Sequence, residues 1–168
     1  GRPQDRDALM LLEGHPHGGA ERLALLARAR LAVDANADRA RDAAAQALER
    51  CPRFAMALNL LGNAEQRAKR FDLAGDAYRR ALALAPDYQA PAFNLGLLSL
   101  RAGDAKSALV VFDETLRRNP QHPRAALARA QAQLMLGKPE LALGDLERVV
   151  LRAPDQPEAW LLLGELAA

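Results

Sequence analysis

The stretch Leu58-Asn59-Leu60-Leu61-Gly62-Asn63-Ala64, followed by Ala74, Tyr78, Ala81 and Pro86, decides how this chain folds. Leu58, Leu61 and Gly62 recur at three-and-four spacing, as do Ala74, Ala77, Tyr78, Ala81 and Leu82, so each set lies along one helix face. Two amphipathic helices with a turn between them follow. Pro86 stops the second, because proline donates no amide hydrogen and its ring crowds the preceding turn.

Outward from this stretch the same arrangement recurs. Pro52, Pro86, Pro120 and Pro154 stand 34 residues apart, and a fixed period of this length marks stacked helical repeats. Taking each proline as position 32 gives units 21–54, 55–88, 89–122 and 123–156, with a partial unit over 157–168. Position 20 is then alanine throughout (Ala40, Ala74, Ala108, Ala142), and position 28 is aliphatic (Leu48, Leu82, Leu116, Val150). Position 8 is small in Gly62, Gly96, Ala130 and Gly164, while position 24 is large in Tyr78, Phe112 and Leu146. Small residues let paired helices approach closely, and a large one fills the space beside them. Gly103-Asp104 and Gly137-Lys138 supply turns in which glycine adopts the left-handed geometry that ends a helix. Pro123 and Pro157 suit a first helical turn, where the missing amide has no partner to lose.

The pattern resembles the tetratricopeptide repeat family over residues 21–168. The resemblance implies an all-α fold, an α-solenoid of antiparallel helix pairs stacked into a right-handed superhelix. It also implies that the first helix of each pair lines a concave face. Two units depart from the pattern. The first has Arg28 where a small residue belongs, and shifting its first helix by one residue puts Ala29 there, at the expense of a turn one residue short. The fourth has Arg129 in place of leucine, expected to snorkel with its head in water. Residues 1–20 lie outside the register, with a short helix expected over Asp7–Glu13 and a turn over His15-Pro16-His17-Gly18-Gly19.

Composition narrows the function. The 168 residues are 50% hydrophobic, 4% aromatic and 26% charged, enough apolar surface to offset the entropy of ordering. No apolar run exceeds five residues, far short of the ~20 that span a bilayer. The 20 arginines and three lysines are interspersed with 21 acidic residues for a net charge of +2, which does not favour nucleic-acid binding. Cys51 is the only cysteine, so no disulfide forms within one molecule, and next to Pro52 it is expected to be a small buried side chain. His15 and His17 are terminal and are not taken as metal ligands. The glycines between Gly14 and Gly19 lack the order of a phosphate loop. No acid, base and nucleophile converge, so no catalytic residue, metal or cofactor is assigned and the chain is read as a non-enzyme.

The inward positions implied by the resemblance carry the expected ligand site. They place Met56, Asn59, Asn63 and Arg67 in the second unit, Phe93, Asn94, Leu97 and Arg101 in the third, and Arg124, Leu127 and Gln131 in the fourth. Asparagine amides offer both donor and acceptor to a peptide backbone. Phe93, Met56 and Leu97 offer seats for apolar side chains, and the arginines a preference for acidic ligands. Some family members clamp a peptide's C-terminal carboxylate; Asn63, Asn94 and Arg124 match that clamp in part, while Asn59 and Ala128 depart from it. Asn63→Ala with Asn94→Ala is expected to weaken peptide binding by about 1–3 kcal/mol.

The expected role is therefore a scaffold or adaptor that binds a partner protein or an extended peptide, acidic or bearing a free C-terminus. The alternatives are a regulatory or targeting module of a larger enzyme, such as a transferase or hydroxylase, and a structural part of a bacterial envelope assembly such as polysaccharide export or pilus biogenesis. The compartment, cytoplasmic or periplasmic, stays open. Apolar Trp160, Leu161, Leu162, Leu163 and Leu166 lack a partner helix, so the native chain is expected to continue past Ala168 and the exposed end to self-associate.

Overall fold

Each helix is bounded by the residues that the 34-residue period singles out. The computed structural model describes residues 3–14, 18–33 and 36–167. Its helices are α1 (Pro3–Glu13), α2 (Ala20–Val33), α3 (Ala37–Arg50), α4 (Ala55–Arg67), α5 (Phe71–Leu84), α6 (Gln89–Arg101), α7 (Ala105–Arg118), α8 (Pro123–Met135), α9 (Pro139–Arg152) and α10 (Pro157–Ala167). No strand occurs among the described residues. The helices α3, α5, α7 and α9 each end two residues before a repeat proline. Pro123, Pro139 and Pro157 open α8, α9 and α10. α1 begins at Pro3 and so is longer than the stretch over Asp7–Glu13 read from the sequence.

Turns inside the pairs share one mechanism. After α6, Gly103 takes φ 82° while the Asp104 amide donates to the Ser99 carbonyl at 2.9 Å. After α8, Gly137 takes φ 69° and the Lys138 amide donates to the Gln133 carbonyl at 2.9 Å. These are Schellman closures, which satisfy carbonyls that the helix end leaves open. Lys69 occupies the same column after α4 with φ 61°, and the Arg70 amide closes on the Glu65 carbonyl at 2.8 Å. Side chains cap the following helices: Asn36 Oδ1 accepts from the Asp38 amide, Asp104 Oδ1 from the Ser107 amide.

The chain divides into two compact units, Gly1–Pro91 and Ala92–Ala168. In the first, α2, α3 and α4 enclose a core of Leu23, Leu26 and Leu60 interleaved with alanines, and α5 packs on α4. Tyr78 is fully buried beside Gly62, whose missing side chain is what admits the ring. The buried small residues of α2 are Ala24 and Ala27, whereas Arg28 is exposed and Ala29 half-buried. α2 thus shifts toward the N-terminus relative to the repeat, opposite to the shift expected for Ala29, because α2 starts one residue earlier than its counterparts. Cys51 corrects another expectation. It is exposed, since it follows the last turn of α3 and only its amide is engaged, on the Ala47 carbonyl.

In the second unit Phe112 is fully buried, its ring 5.7 Å from that of Phe93 and against Gly96. Leu146 and Val149 of α9 pack with Leu127 and Ala130 of α8 and with Ala159 of α10. Trp160 stays half-exposed, its indole donating to the Pro154 carbonyl at 3.0 Å.

Candidate functional site

The amides expected to face a ligand are largely committed within the first unit. Asn59 is buried, with its Nδ2 3.5 Å from the Tyr88 hydroxyl. The Tyr78 hydroxyl lies 2.8 Å from both Asn63 Oδ1 and Gln66 Oε1 and, with one proton, donates to one of them at a time. Burial of this ring pushes the Tyr78 phenol pKa well above its ordinary value. Met56 packs partly against the core, and Arg67 donates to the Leu31 carbonyl at the end of α2.

The second unit brings five of the expected residues together. Phe93 and Leu97 of α6 and Arg124, Leu127 and Gln131 of α8 line one open cavity of about 400 Å³. The helical spacing explains the grouping, since 124, 127, 128 and 131 share one face of α8. Phe93 and Leu127 are buried and form an apolar floor. Arg124 holds its guanidinium carbon 5.4 Å from the centre of the Phe93 ring, a cation–π arrangement that fixes the charge at the cavity edge. His122 stacks at 5.4 Å on the same ring, and its Nδ1 accepts from the Ala125 amide at 3.2 Å to cap α8. Asn94 and Arg101 do not line this cavity.

Asp155, Gln156, Pro157 and Glu158, from the turn into α10, close the opposite wall. Asp155 and Gln156 lie in the turn after Pro154, outside the first-helix columns, whereas Glu158 stands in the same column as Met56 and Arg124, one unit beyond those expected to carry the site. They change the electrostatics. One arginine faces two carboxylates, so the expected preference for acidic ligands gains no support from this cavity.

Arg129 also differs from expectation. Its head is not in water but forms a two-point bridge to the buried Asp145, Nε to Oδ2 and Nη2 to Oδ1, both at 2.7 Å. Nη1 reaches Asp113 at 2.8 Å. The hydrogen bonds to Asp145 raise the guanidinium pKa further still. The physical reason is column pairing: Leu61 with Ala77 and Leu95 with Val111 occupy the corresponding positions of the preceding units, and here both members are exchanged for opposite charges.

His15 and His17 lie outside the described residues. Among the described residues no group of histidine, cysteine and carboxylate side chains is arranged to hold a metal ion, and no helix is long and apolar enough to cross a membrane.

Comparison with known proteins agrees with this architecture. One tetratricopeptide repeat family profile matches residues 66–131 and 99–166, and a second matches 25–88. The structure is similar to that of PilF from Pseudomonas aeruginosa, with a TM-score of 0.83 and 25% identity over 99% of this chain and 77% of that one. It is also similar to TTC0263, a thermophilic TPR protein of Thermus thermophilus, with a TM-score of 0.77 and 20% identity over 98% of this chain and 91% of the other. FlbA of Caulobacter vibrioides is 44% identical over 64 residues, which is 38% of this chain and 11% of FlbA. The profile matches together run through all four helix pairs, and the chain belongs to the tetratricopeptide repeat family.

Proposed function

We propose that this chain binds an extended segment of a partner protein in the cavity between α6, α8 and the turn into α10. The family fold is a scaffold for protein–protein interaction, which supports the general role. The observation that carries the specific reading is the convergence of Phe93, Leu97, Arg124, Leu127 and Gln131 on one cavity. An apolar floor with a few polar groups at its edge suits a peptide: a side chain leaves water on Phe93 and Leu127, while Gln131 pairs with the backbone.

Selection of ligands from a random-peptide display library on the immobilised chain tests this reading. Selected peptides are expected to lose about tenfold in affinity, ~1.4 kcal/mol, for Arg124→Ala with Gln131→Ala. Both side chains are at least partly exposed, so the variant keeps the helical circular dichroism of the parent. Peptides that bind parent and variant equally would remove this cavity as the site.

A further inference from the structure

α8 separates two cavities. Arg124, Leu127 and Gln131 face the one described above, whereas Pro123, Ala126 and Arg129 face another of about 310 Å³ between α7, α8 and α9. We propose that this second cavity takes an acidic segment of a partner protein, a carboxylate side chain next to an apolar one. The proposal goes beyond the groove reading and does not depend on it.

Charge carries the first part. Arg117, Arg129, Arg148 and Arg152 line the cavity against two aspartates, Asp113 and Asp145. Both aspartates already answer to Arg129, and the second oxygen pairing of Asp145 is completed by Arg148 at 3.1 Å. No lining carboxylate is therefore left to neutralise Arg152, whose guanidinium has no hydrogen-bond or ion-pair partner among the described residues. Arg148 is 63% exposed and Arg117, which donates Nε and Nη2 to Glu114 outside the cavity lining, is 70% exposed, so each keeps a guanidinium donor toward solvent. A guanidinium cluster with donors to spare suits a carboxylate, which accepts two parallel hydrogen bonds.

The walls carry the second part. Leu116, Pro123 and Val149 give the cavity an apolar side that a bare inorganic anion would leave in water. A carboxylate attached to a peptide with a neighbouring leucine uses both surfaces. At about 310 Å³ the space is at the small end of ligand cavities, enough for one or two side chains. The Arg129–Asp145 bridge ties α8 to α9, so Arg152 and the remaining donors of Arg117 and Arg148 are presented on packed helices.

The test is a titration of the isotope-labelled full chain, followed by backbone amide NMR. The probes are acetyl-Leu-Glu-Leu-Glu-amide, its glutamine counterpart and inorganic phosphate. The acidic peptide is expected to shift amides at the start of α8 and in the second half of α9. It should bind at least about tenfold more tightly than the glutamine peptide, weaken as salt rises, and lose about tenfold in Arg148→Gln with Arg152→Gln. The groove variant Arg124→Ala with Gln131→Ala is expected to leave these shifts intact. Equal binding of the two peptides, an unchanged affinity in the arginine variant, phosphate binding as tightly as the peptide, shifts confined to Leu97 and Gln131, or no saturable shift would each overturn the proposal.

Discussion

Gly62 shows how much one hydrogen atom in place of a side chain decides. A methyl group there would stand 2.6 Å from Tyr78 Cδ1 and 2.9 Å from Cζ, inside van der Waals contact with a fully buried ring. Gly62→Ala should therefore destabilise the chain by about 1–3 kcal/mol, although alanine is the better helix former. Gly144 of α9 meets nothing within 4 Å, so Gly144→Ala should instead stabilise by about 0.5–1 kcal/mol. Urea unfolding of the two variants separates packing from propensity, and a shared sign would defeat the explanation. Lys69 presents the reverse case, a side chain at φ 61° where the later repeats place glycine. Lys69→Gly should raise stability by about 0.5–1 kcal/mol, read from the same unfolding curves. The small-against-large fit was legible in the sequence from columns 8 and 24. The inward amides were not: column position says which way a residue points on average, not that the Tyr78 hydroxyl engages Asn63. The double change Asn63→Ala with Asn94→Ala would for that reason disturb the core as well as any ligand.

Between α8 and α9 an ion pair replaces an apolar contact, and its energetics follow from burial. Asp145 is only 2% exposed, so Arg129→Met, which leaves the carboxylate with Arg148 alone, should cost up to about 3–5 kcal/mol by denaturant unfolding. Exchanging both, Arg129→Met with Asp145→Leu, should bring most of that stability back. A double variant no more stable than the single one would mean that the bridge is not what aligns these helices. The exchange was visible in the sequence as two simultaneous departures, Arg129 at position 7 and Asp145 at position 23. Single columns conceal it, because only the fold shows that the two positions meet. On α7, hydrogen bonds from Arg117 and Arg118 lower the Glu114 pKa from the ordinary 4.5 to about 2. A carboxyl held low in the folded state contributes stability that is fully present above pH 4.5 and lost as pH falls through about 2. A carbon-detected NMR titration should give Glu114 a midpoint near 2 in the parent, rising toward the ordinary value in Arg117→Gln with Arg118→Gln. A midpoint that does not move would exclude the two guanidiniums as the cause.

At the scale of the whole molecule, the extensively packed helix pairs among the described residues are sequence neighbours or, as with α2 and α4, next but one. The period was legible because like positions of the helix pairs face like constraints, Gly62 against Tyr78 as Gly96 against Phe112. Glu158 was legible as the next member of the column of Met56 and Arg124; the turn residues Asp155 and Gln156 and the arginine-lined cavity were not, since they arise where three elements meet and no column records that. α1 packs on α2 and α10 on α9, while α8 is held on both sides by α7 and α9. Hydrogen exchange on the 168-residue chain should accordingly be faster in α1 and α10 than in the middle of α8, and uniform protection would contradict neighbour-limited stability. Packing between near neighbours among the described residues also bears on synthesis. As the polypeptide leaves the ribosome, helices such as α3, α5 and α9 each find a partner already made just ahead of them, so the apolar surface between the two is sheltered soon after it appears.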